Sequence, residues 1–123
     1  MTMMSSNDVG PVRRVIDATR YSVQGLRQAW THEPPFRYEV WVLLLALPAA
    51  WLLGRGAVER ALMIGSVLLV LVIELVNSAI EAVVDRIGVE RHQLSGRAKD
   101  LGSAAVFCSI MLAGAVWLTL LAG

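Results

Sequence analysis

Charged side chains are scarce in this sequence, which has 123 residues and only 17% Asp, Glu, Lys and Arg. Soluble domains average about 25% charged residues, whereas 56% of the residues here are hydrophobic. That apolar content excludes a disordered chain, and the net charge of +1 argues against nucleic acid as the main partner. The single cysteine, Cys108, cannot form an internal disulfide. The composition therefore predicts a small integral membrane protein.

The length excludes a large barrel or doubly wound enzyme and allows about three spans of about 20 residues each. Within one domain, residues 1–123, helical spans are predicted at about 36–53, 61–84 and 101–122. Residues 12–33 alternate apolar side chains with arginines at helical spacing, which predicts an amphipathic helix on the membrane surface. A soluble amphipathic helix packed on the rest of the protein is the alternative. The expected class is an all-α membrane protein.

Prolines and glycines mark the expected breaks between these segments. Pro34 and Pro35 are expected to end the surface helix, because proline lacks an amide donor and restricts the residue before it. Pro48 is expected to interrupt the first span. Residues 54–56 are expected to form a short turn between the first two spans.

Basic residues are distributed unevenly about the predicted spans. The N-terminal segment holds five arginines and the polar loop at 85–100 holds four basic residues, whereas the turn at 54–60 holds two. Because basic flanks stay on the cytoplasmic side, the N-terminus and the 85–100 loop are predicted to be cytoplasmic. The C-terminus is then predicted to face outward.

The second span carries a stripe of polar side chains: Glu74, Asn77, Ser78, Glu81 and Asp85. Their spacing puts them within one sector roughly 100° wide on an α-helix. Glu74 lies eleven residues before Asp85, about 16 Å along the helix axis. Polar groups inside a membrane are costly and by default mark a functional site that faces protein or water. A structural polar network that fixes helix packing is the alternative.

Carboxylates at these depths suit two different chemical roles. Mg²⁺ takes one or two carboxylates together with phosphate oxygens and water, a role that suits Glu81 and, at the helix break, Glu33. The deeper Glu74 suits a general base that meets a hydroxyl presented from the lipid side. The expected substrates therefore carry phosphate from the cytoplasm and an alcohol from the bilayer.

The 85–100 loop has phosphate-binding chemistry without a P-loop or a protein-kinase signature. Lys99 and Asp100 are expected to precede a helix. There Lys99 can hold phosphate, and the Asp100 carboxylate can accept a hydrogen bond from adenine or ribose. An ordinary solvated loop is the alternative. His92 has no second Cys or His ligand nearby in the sequence, so it is a weak metal candidate.

Three segments together resemble one family: EPPFRYE at 33–39, ELVNSAIEAVVD at 74–85 and LSGRAKDLGSAA at 94–105. This combination resembles the prokaryotic diacylglycerol kinases, and the resemblance covers roughly residues 12 to 120. It implies a three-span inner-membrane homotrimer whose active sites lie between neighbouring subunits and transfer the ATP γ-phosphate to diacylglycerol. Val23, Gln24 and Tyr38 depart from the family pattern.

The resemblance also implies roles for particular residues. Glu74 is implied as the catalytic base, with Asn77 and Asp85 orienting the acids, and Glu33 and Glu81 as the ligands of Mg²⁺. The implied ATP site comprises Arg14, Tyr21, Glu33, Glu81, Glu90, Arg91, His92, Lys99 and Asp100. The implied lipid-substrate contacts are Arg14, Ser22, Arg27, Trp30, Phe36, Arg37, Glu39, Glu74 and Ser103.

Three other functions remain open from the residues alone. A kinase for a polyprenol such as undecaprenol satisfies the same requirement for a membrane alcohol. A small proton-coupled transporter would use Glu74 as an intramembrane proton carrier, but such exporters usually have four spans rather than three. A structural or assembly subunit leaves the polar stripe unexplained.

Overall fold

The chain folds into four helices, and the computed structural model describes residues 10–88 and 92–123. The helices are α1 (Pro11–His32), α2 (Pro34–Leu53), α3 (Ala57–Ile87) and α4 (Gln93–Ala122), and the described residues contain no strand. Helices α2, α3 and α4 are each long and apolar enough to cross a membrane. The predicted all-α architecture with three potential spans is therefore confirmed.

The break between α1 and α2 falls at Glu33, where the two prolines predicted it. Arg37 reaches back across this break, and its Nη1 donates to the carbonyl oxygens of Trp30 at 2.9 Å and Thr31 at 3.5 Å. The last carbonyl groups of a helix lack partners within that helix. Arg37 therefore caps α1 and fixes the direction in which α2 leaves it.

Helix α2 continues through Pro48, so the prediction of an interrupted first span is wrong. Proline removes one amide donor from the helix, but membrane helices tolerate this because local adjustments and neighbouring groups satisfy the freed carbonyl. The helix then ends at Leu53, ahead of the short turn predicted at 54–56.

Two glycines make this turn possible. Gly56 has φ +103°, a backbone conformation that side-chain-bearing residues rarely adopt. A Cβ atom on Gly54 would lie 2.6 Å from Cγ of Arg60, so only glycine fits beneath that side chain. The turn therefore depends on glycine both for its conformation and for its close packing.

Arg55, between these glycines, ties the turn to the end of α4. Its Nη2 donates to the carbonyl oxygens of Leu120 at 3.1 Å and Gly123 at 2.7 Å, and its Nε pairs with Glu59 at 3.5 Å. The α2–α3 turn and the end of α4 therefore lie at the same end of the bundle. This is the arrangement that three antiparallel spans require.

Helix α3 is the centre of the bundle and packs against both α2 and α4. Its buried side chains recur every three or four residues and form one stripe: Met63, Ser66, Val67, Val70, Leu71, Glu74, Asn77 and Val84. Such spacing is typical of a helix that buries one face. The predicted polar residues Glu74 and Asn77 belong to this stripe and face the protein.

A small apolar core holds α1 and α2 onto α3. Ala29 of α1, Phe36 of α2 and Leu71 of α3 are buried together, with partly buried aliphatic side chains from α2 and α3 around them. This core lies beside the α1–α2 break. It therefore positions Glu33, at the break, relative to the polar residues of α3.

Helix α4 begins at Gln93, so the expectation that Lys99 and Asp100 precede a helix is wrong. The ring nitrogen Nδ1 of His92 accepts from the amide of Leu94 at 3.1 Å and caps the helix start. Lys99 then pairs with Asp85 of α3, with 2.7 Å between Nζ and Oδ1. The helix starts ahead of the apolar segment because this cap and this ion pair stabilise its first turns.

A hydrogen bond from the indole of Trp117 joins α4 to α3 near the end of α4 and the start of α3. Nε1 of Trp117 donates to the carbonyl oxygen of Met63 at 3.0 Å, and Met63 is fully buried.

We expect Trp117→Phe to lower the free energy of unfolding by about 1 kcal/mol, because it removes this bond. Thermal unfolding in detergent micelles measures the change.

Trp41→Phe is the matched control, because Trp41 lies on a helix surface and is 59% exposed. The same loss of ring area there should change the unfolding midpoint much less. Equal shifts for the two variants would contradict a stabilising role for the Trp117 bond.

Candidate active site

Four glutamates from α2, α3 and the α1–α2 break converge on one side of α3. We define the acid cluster as Glu33, Glu39, Glu74 and Glu81. The carboxyl groups of Glu39 and Glu74 lie close together, and Glu33 and Glu81 are near enough to Glu74 for the charges to interact. The fold therefore brings together acids that are up to 48 positions apart in the sequence, from 33 to 81.

Glu74 and the neighbouring Asn77 are shielded from solvent, whereas the other three glutamates of the cluster are partly exposed. Glu74 is 6% exposed and Asn77 is 8% exposed. Nδ2 of Asn77 donates to Oε1 of Glu81 at 3.4 Å, which gives Glu81 a fixed neighbour one helical turn away. Oε2 of Glu39 and Oδ1 of Asn77 are buried without a hydrogen-bond partner among residues 10–88 and 92–123. Such atoms in a native protein call for a bound group or a structural explanation.

A cation lies at the end of α3 beyond the acid cluster. Lys99 bonds directly to Asp85, and its charge also acts on Glu81. The side chain of Lys99 remains 45% exposed, so it is open to a second anionic group. Asp100 and His92 lie nearby in the chain and are exposed.

An open cleft of about 670 Å³ separates α1 from α3 beside the acid cluster. Its lining includes Ser22, Leu26, His32 and Glu33 on one side and Leu75 and Ser78 on the other. Ligand pockets in proteins have volumes of about 300–1,000 Å³, so this cleft is large enough for a small molecule. Glu33 lies on its wall and therefore links the cleft to the acid cluster.

A second, narrower cavity of about 230 Å³ begins at Glu39. It runs between α2, α3 and α4, and its other walls are aliphatic: Val42, Val67, Val70, Ile110 and Ala113. The acid cluster therefore borders two cavities: Glu33 lines the cleft between α1 and α3, and Glu39 lines the cavity between α2, α3 and α4.

The remaining predicted residues are spread over α1, α2 and α4. Arg14, Tyr21, Ser22, Arg27 and Trp30 lie on exposed parts of α1, and Ser103 lies on an exposed part of α4. Phe36 is buried in the core, and Arg37 caps α1, so both have structural contacts besides any with lipid. Glu90 and Arg91 lie outside the described residues.

The carboxylates present fit Mg²⁺ only as part of a larger ligand set. Within residues 10–88 and 92–123, no three Asp, Glu, His or Cys side chains converge to hold a metal ion. Mg²⁺ usually binds one or two carboxylates, several waters and substrate phosphates. Glu33 and Glu81 therefore suit an ion that arrives with a nucleotide, and do not form a cage for the metal alone.

The contact of Glu39 with Glu74 was missed by the argument from the polar stripe. Glu39 entered only through the family resemblance, as a contact for lipid. The usable signal was an acid placed in an otherwise apolar span, the same signal that singled out Glu74. Its partner was not deducible, because the contact joins α2 to α3.

Comparisons with known proteins identify the family of this chain. The family model for prokaryotic diacylglycerol kinase matches residues 20–121. A diacylglycerol kinase of Escherichia coli (strain K12) is 52% identical over 118 residues, covering 96% of each chain. One from Haemophilus influenzae is 52% identical over 103 residues, covering 84% of this chain and 87% of that protein.

A more distant relative gives the same result. A diacylglycerol kinase of Pseudomonas aeruginosa is 46% identical over 112 residues, covering 91% of each chain. Both the family model and these relatives extend over the α1–α2 break, the acid cluster and the ion pair of Lys99. The chain belongs to the prokaryotic diacylglycerol kinase family.

Proposed function

We propose that this protein transfers the γ-phosphoryl group of ATP to the free hydroxyl of diacylglycerol and forms phosphatidic acid. The observation that carries this proposal is the acid cluster: Glu74 is 6% exposed, Glu33 lines the 670 Å³ cleft and Glu39 lines the aliphatic cavity. Membership of the diacylglycerol kinase family supports the same two substrates.

Glu74 acts as the general base in this proposal. The hydroxyl oxygen of the lipid attacks the γ-phosphorus, its proton passes to the Glu74 carboxylate, and the bond between the γ-phosphorus and the bridging oxygen breaks to release ADP. Phosphoryl transfer demands mainly positioning and charge stabilisation from the protein. Asn77 and Asp85 orient the acids around the reacting groups, which the bond from Asn77 to Glu81 supports.

Glu33 and Glu81 would hold Mg²⁺ together with the nucleotide phosphates. Mg²⁺ supplies neutralising charge to the phosphate oxygens when bound. Lys99 binds phosphate, since its ammonium group is partly exposed beside the acids. The rest of the proposed nucleotide site is Arg14, Tyr21, Glu90, Arg91, His92 and Asp100.

The lipid approaches from the side of α1 and α2. Ser22, Arg27 and Trp30 lie on exposed parts of α1, which suits a helix at the membrane surface. The aliphatic cavity that begins at Glu39 suits an acyl chain whose glycerol end lies near Glu74. The proposed lipid-contacting set is completed by Arg14, Phe36, Arg37 and Ser103.

The protein is proposed to lie in the bacterial inner membrane as a homotrimer with shared active sites. The basic flanks favour a cytoplasmic N-terminus and an outward C-terminus. Many large apolar side chains of α2 and α4 are exposed in a single copy, including Leu45 and Phe107. One copy also leaves the 670 Å³ cleft open, so neighbouring subunits are needed to enclose a nucleotide and a lipid.

A polyprenol kinase is the nearest alternative, and a substrate panel separates the two. Purified protein in detergent or lipid vesicles is given ATP, Mg²⁺ and either diacylglycerol or undecaprenol. We expect kcat/KM to be at least about tenfold higher for diacylglycerol, a difference of about 1.4 kcal/mol in transition-state binding. Higher kcat/KM for undecaprenol, or no phosphatidic acid, would overturn the proposal.

Glu74→Gln should remove the general base while preserving side-chain shape. We expect kcat to fall by about 10²–10⁴-fold, the usual contribution of general acid–base catalysis. Production of radiolabelled phosphatidic acid measures the loss, and size-exclusion chromatography checks that assembly is retained.

Glu59→Gln is the matched control, because Glu59 lies at the opposite end of the same helix and pairs with Arg55. Its kcat should stay within about twofold of the parent. If Glu74→Gln retained the activity of this control, Glu74 would not be the base.

Glu81→Gln should weaken the binding of Mg²⁺ rather than remove the base. We expect the Mg²⁺ concentration for half-maximal rate to rise by on the order of tenfold. Mutation of a group that only supports a metal ligand already costs about 10–100-fold in metal affinity or activity, and the loss of a ligand should cost at least as much. A Mg²⁺ titration at saturating ATP and lipid measures the shift. An unchanged titration curve would rule out a ligand role for Glu81.

A further inference from the structure

Helices α3 and α4 approach each other closely where Gly102 faces Asn77. Gly102 is buried, and a Cβ atom built on it would overlap Oδ1 of Asn77 and lie 3.2 Å from its Cγ. The only other Asn77 atom near that position is Cβ, at 3.9 Å, an ordinary van der Waals contact. The carboxamide of Asn77 therefore occupies space that a side chain at residue 102 would need.

This packing fixes which end of the carboxamide faces Glu81. Oδ1 of Asn77 lies against Gly102 and has no hydrogen-bond partner in the described part of the chain. Nδ2 points the other way and donates to Oε1 of Glu81 at 3.4 Å. A carboxylate accepts hydrogen bonds, so the amide nitrogen is the end that must face it.

We propose that Gly102 is a positioning residue that holds the Asn77 carboxamide against α4 and thereby orients Glu81 toward the nucleotide-bound metal. The effect on the metal rests on the proposed role of Glu81, whereas the packing of Gly102 on Asn77 does not. Gly102 contacts no substrate in this proposal. It acts only through the space that its missing side chain leaves.

Gly102→Ala tests the packing because two effects of the methyl group oppose each other. Alanine favours a helix interior over glycine, so the substitution should stabilise α4 where space is free. At residue 102 the methyl group must displace the carboxamide of Asn77 and disturb its bond to Glu81. Replacing Asn77 with alanine removes the obstruction and leaves only the Cβ atom at 3.9 Å.

The experiment is a double-mutant cycle with Gly102→Ala, Asn77→Ala and the two combined, in the full chain in detergent. Thermal unfolding is one measurement and the Mg²⁺ concentration for half-maximal rate is the other. Gly114→Ala is the matched control, because Gly114 is also within α4 and, outside the adjacent residues and local backbone of that helix, no atom in the described part of the chain lies within 4 Å of its added Cβ. It should leave the Mg²⁺ requirement unchanged and keep or raise the unfolding midpoint.

We expect Gly102→Ala to lower the unfolding midpoint by about 5 °C in the parent. In the Asn77→Ala background it should leave the midpoint unchanged or raise it. In the parent it should also raise the Mg²⁺ requirement about fivefold or more, and in the Asn77→Ala background by less than about twofold. A variant too unstable to purify should be recovered by the added Asn77→Ala.

Equal effects of Gly102→Ala in both backgrounds, or a parent Mg²⁺ requirement that does not move, would overturn the positioning role. The Glu81→Gln variant tests separately whether Glu81 is a ligand of Mg²⁺. If Glu81 is not a ligand, this variant leaves the Mg²⁺ titration unchanged. The unfolding measurements need neither metal nor substrate. They therefore test the contact of Gly102 with Asn77 whatever the role of Glu81.

Discussion

Bringing several carboxyl groups together inside an apolar bundle is the constraint on which the rest of this structure depends. Ionised groups are costly in a membrane, and like charges placed side by side repel. The fold meets this demand by drawing the acids from separate elements around the central helix α3, so that no single helix carries them all. Glu33 lies at the break after α1, Glu39 lies in α2, and Glu74 and Glu81 lie in α3. The capping of α1 by Arg37 and the pairing of Lys99 with Asp85 then hold these elements in place.

The two ends of the bundle are stabilised by different kinds of interaction. Around the acid cluster, polar side chains interact with one another, as Asn77 does with Glu81 within α3 and as Lys99 does with Asp85 across α3 and α4. Packing against Gly102 decides the orientation of Asn77. At the other end, side chains bond mainly to backbone carbonyls, as Arg55 does at the end of α4 and Trp117 does at Met63. The proposed chemistry is thereby concentrated at one end, while the contacts at the opposite end align the helices.

Apart from the continuation of α2 through Pro48, properties that arise within one helix could be predicted from the sequence, and properties that arise between helices could not. The spacing of Glu74 and Asn77 was enough to put them on one buried face, and Pro34 was enough to end α1. The early start of α4 depends on the ion pair of Lys99 with a residue of another helix, so hydropathy alone gave a later start. The contact of Glu39 with Glu74 and the space at Gly102 likewise depend on how the helices pack, which no periodicity reveals. The assigned roles of most site residues remain predictions.

The length of α3 has a consequence for the host bilayer. With 31 residues the helix is about 46 Å long, whereas the hydrocarbon layer of a bilayer is about 30 Å thick. Such a helix must tilt or project beyond the hydrocarbon, and a thicker or thinner bilayer changes how far it does so. Glu74 is fixed along this helix, but the ester-linked glycerol of a lipid is fixed relative to the membrane surface. Bilayer thickness therefore sets the vertical offset between the Glu74 carboxylate and the glycerol level of the surrounding lipid, and in the proposed reaction this makes lipid composition a determinant of turnover.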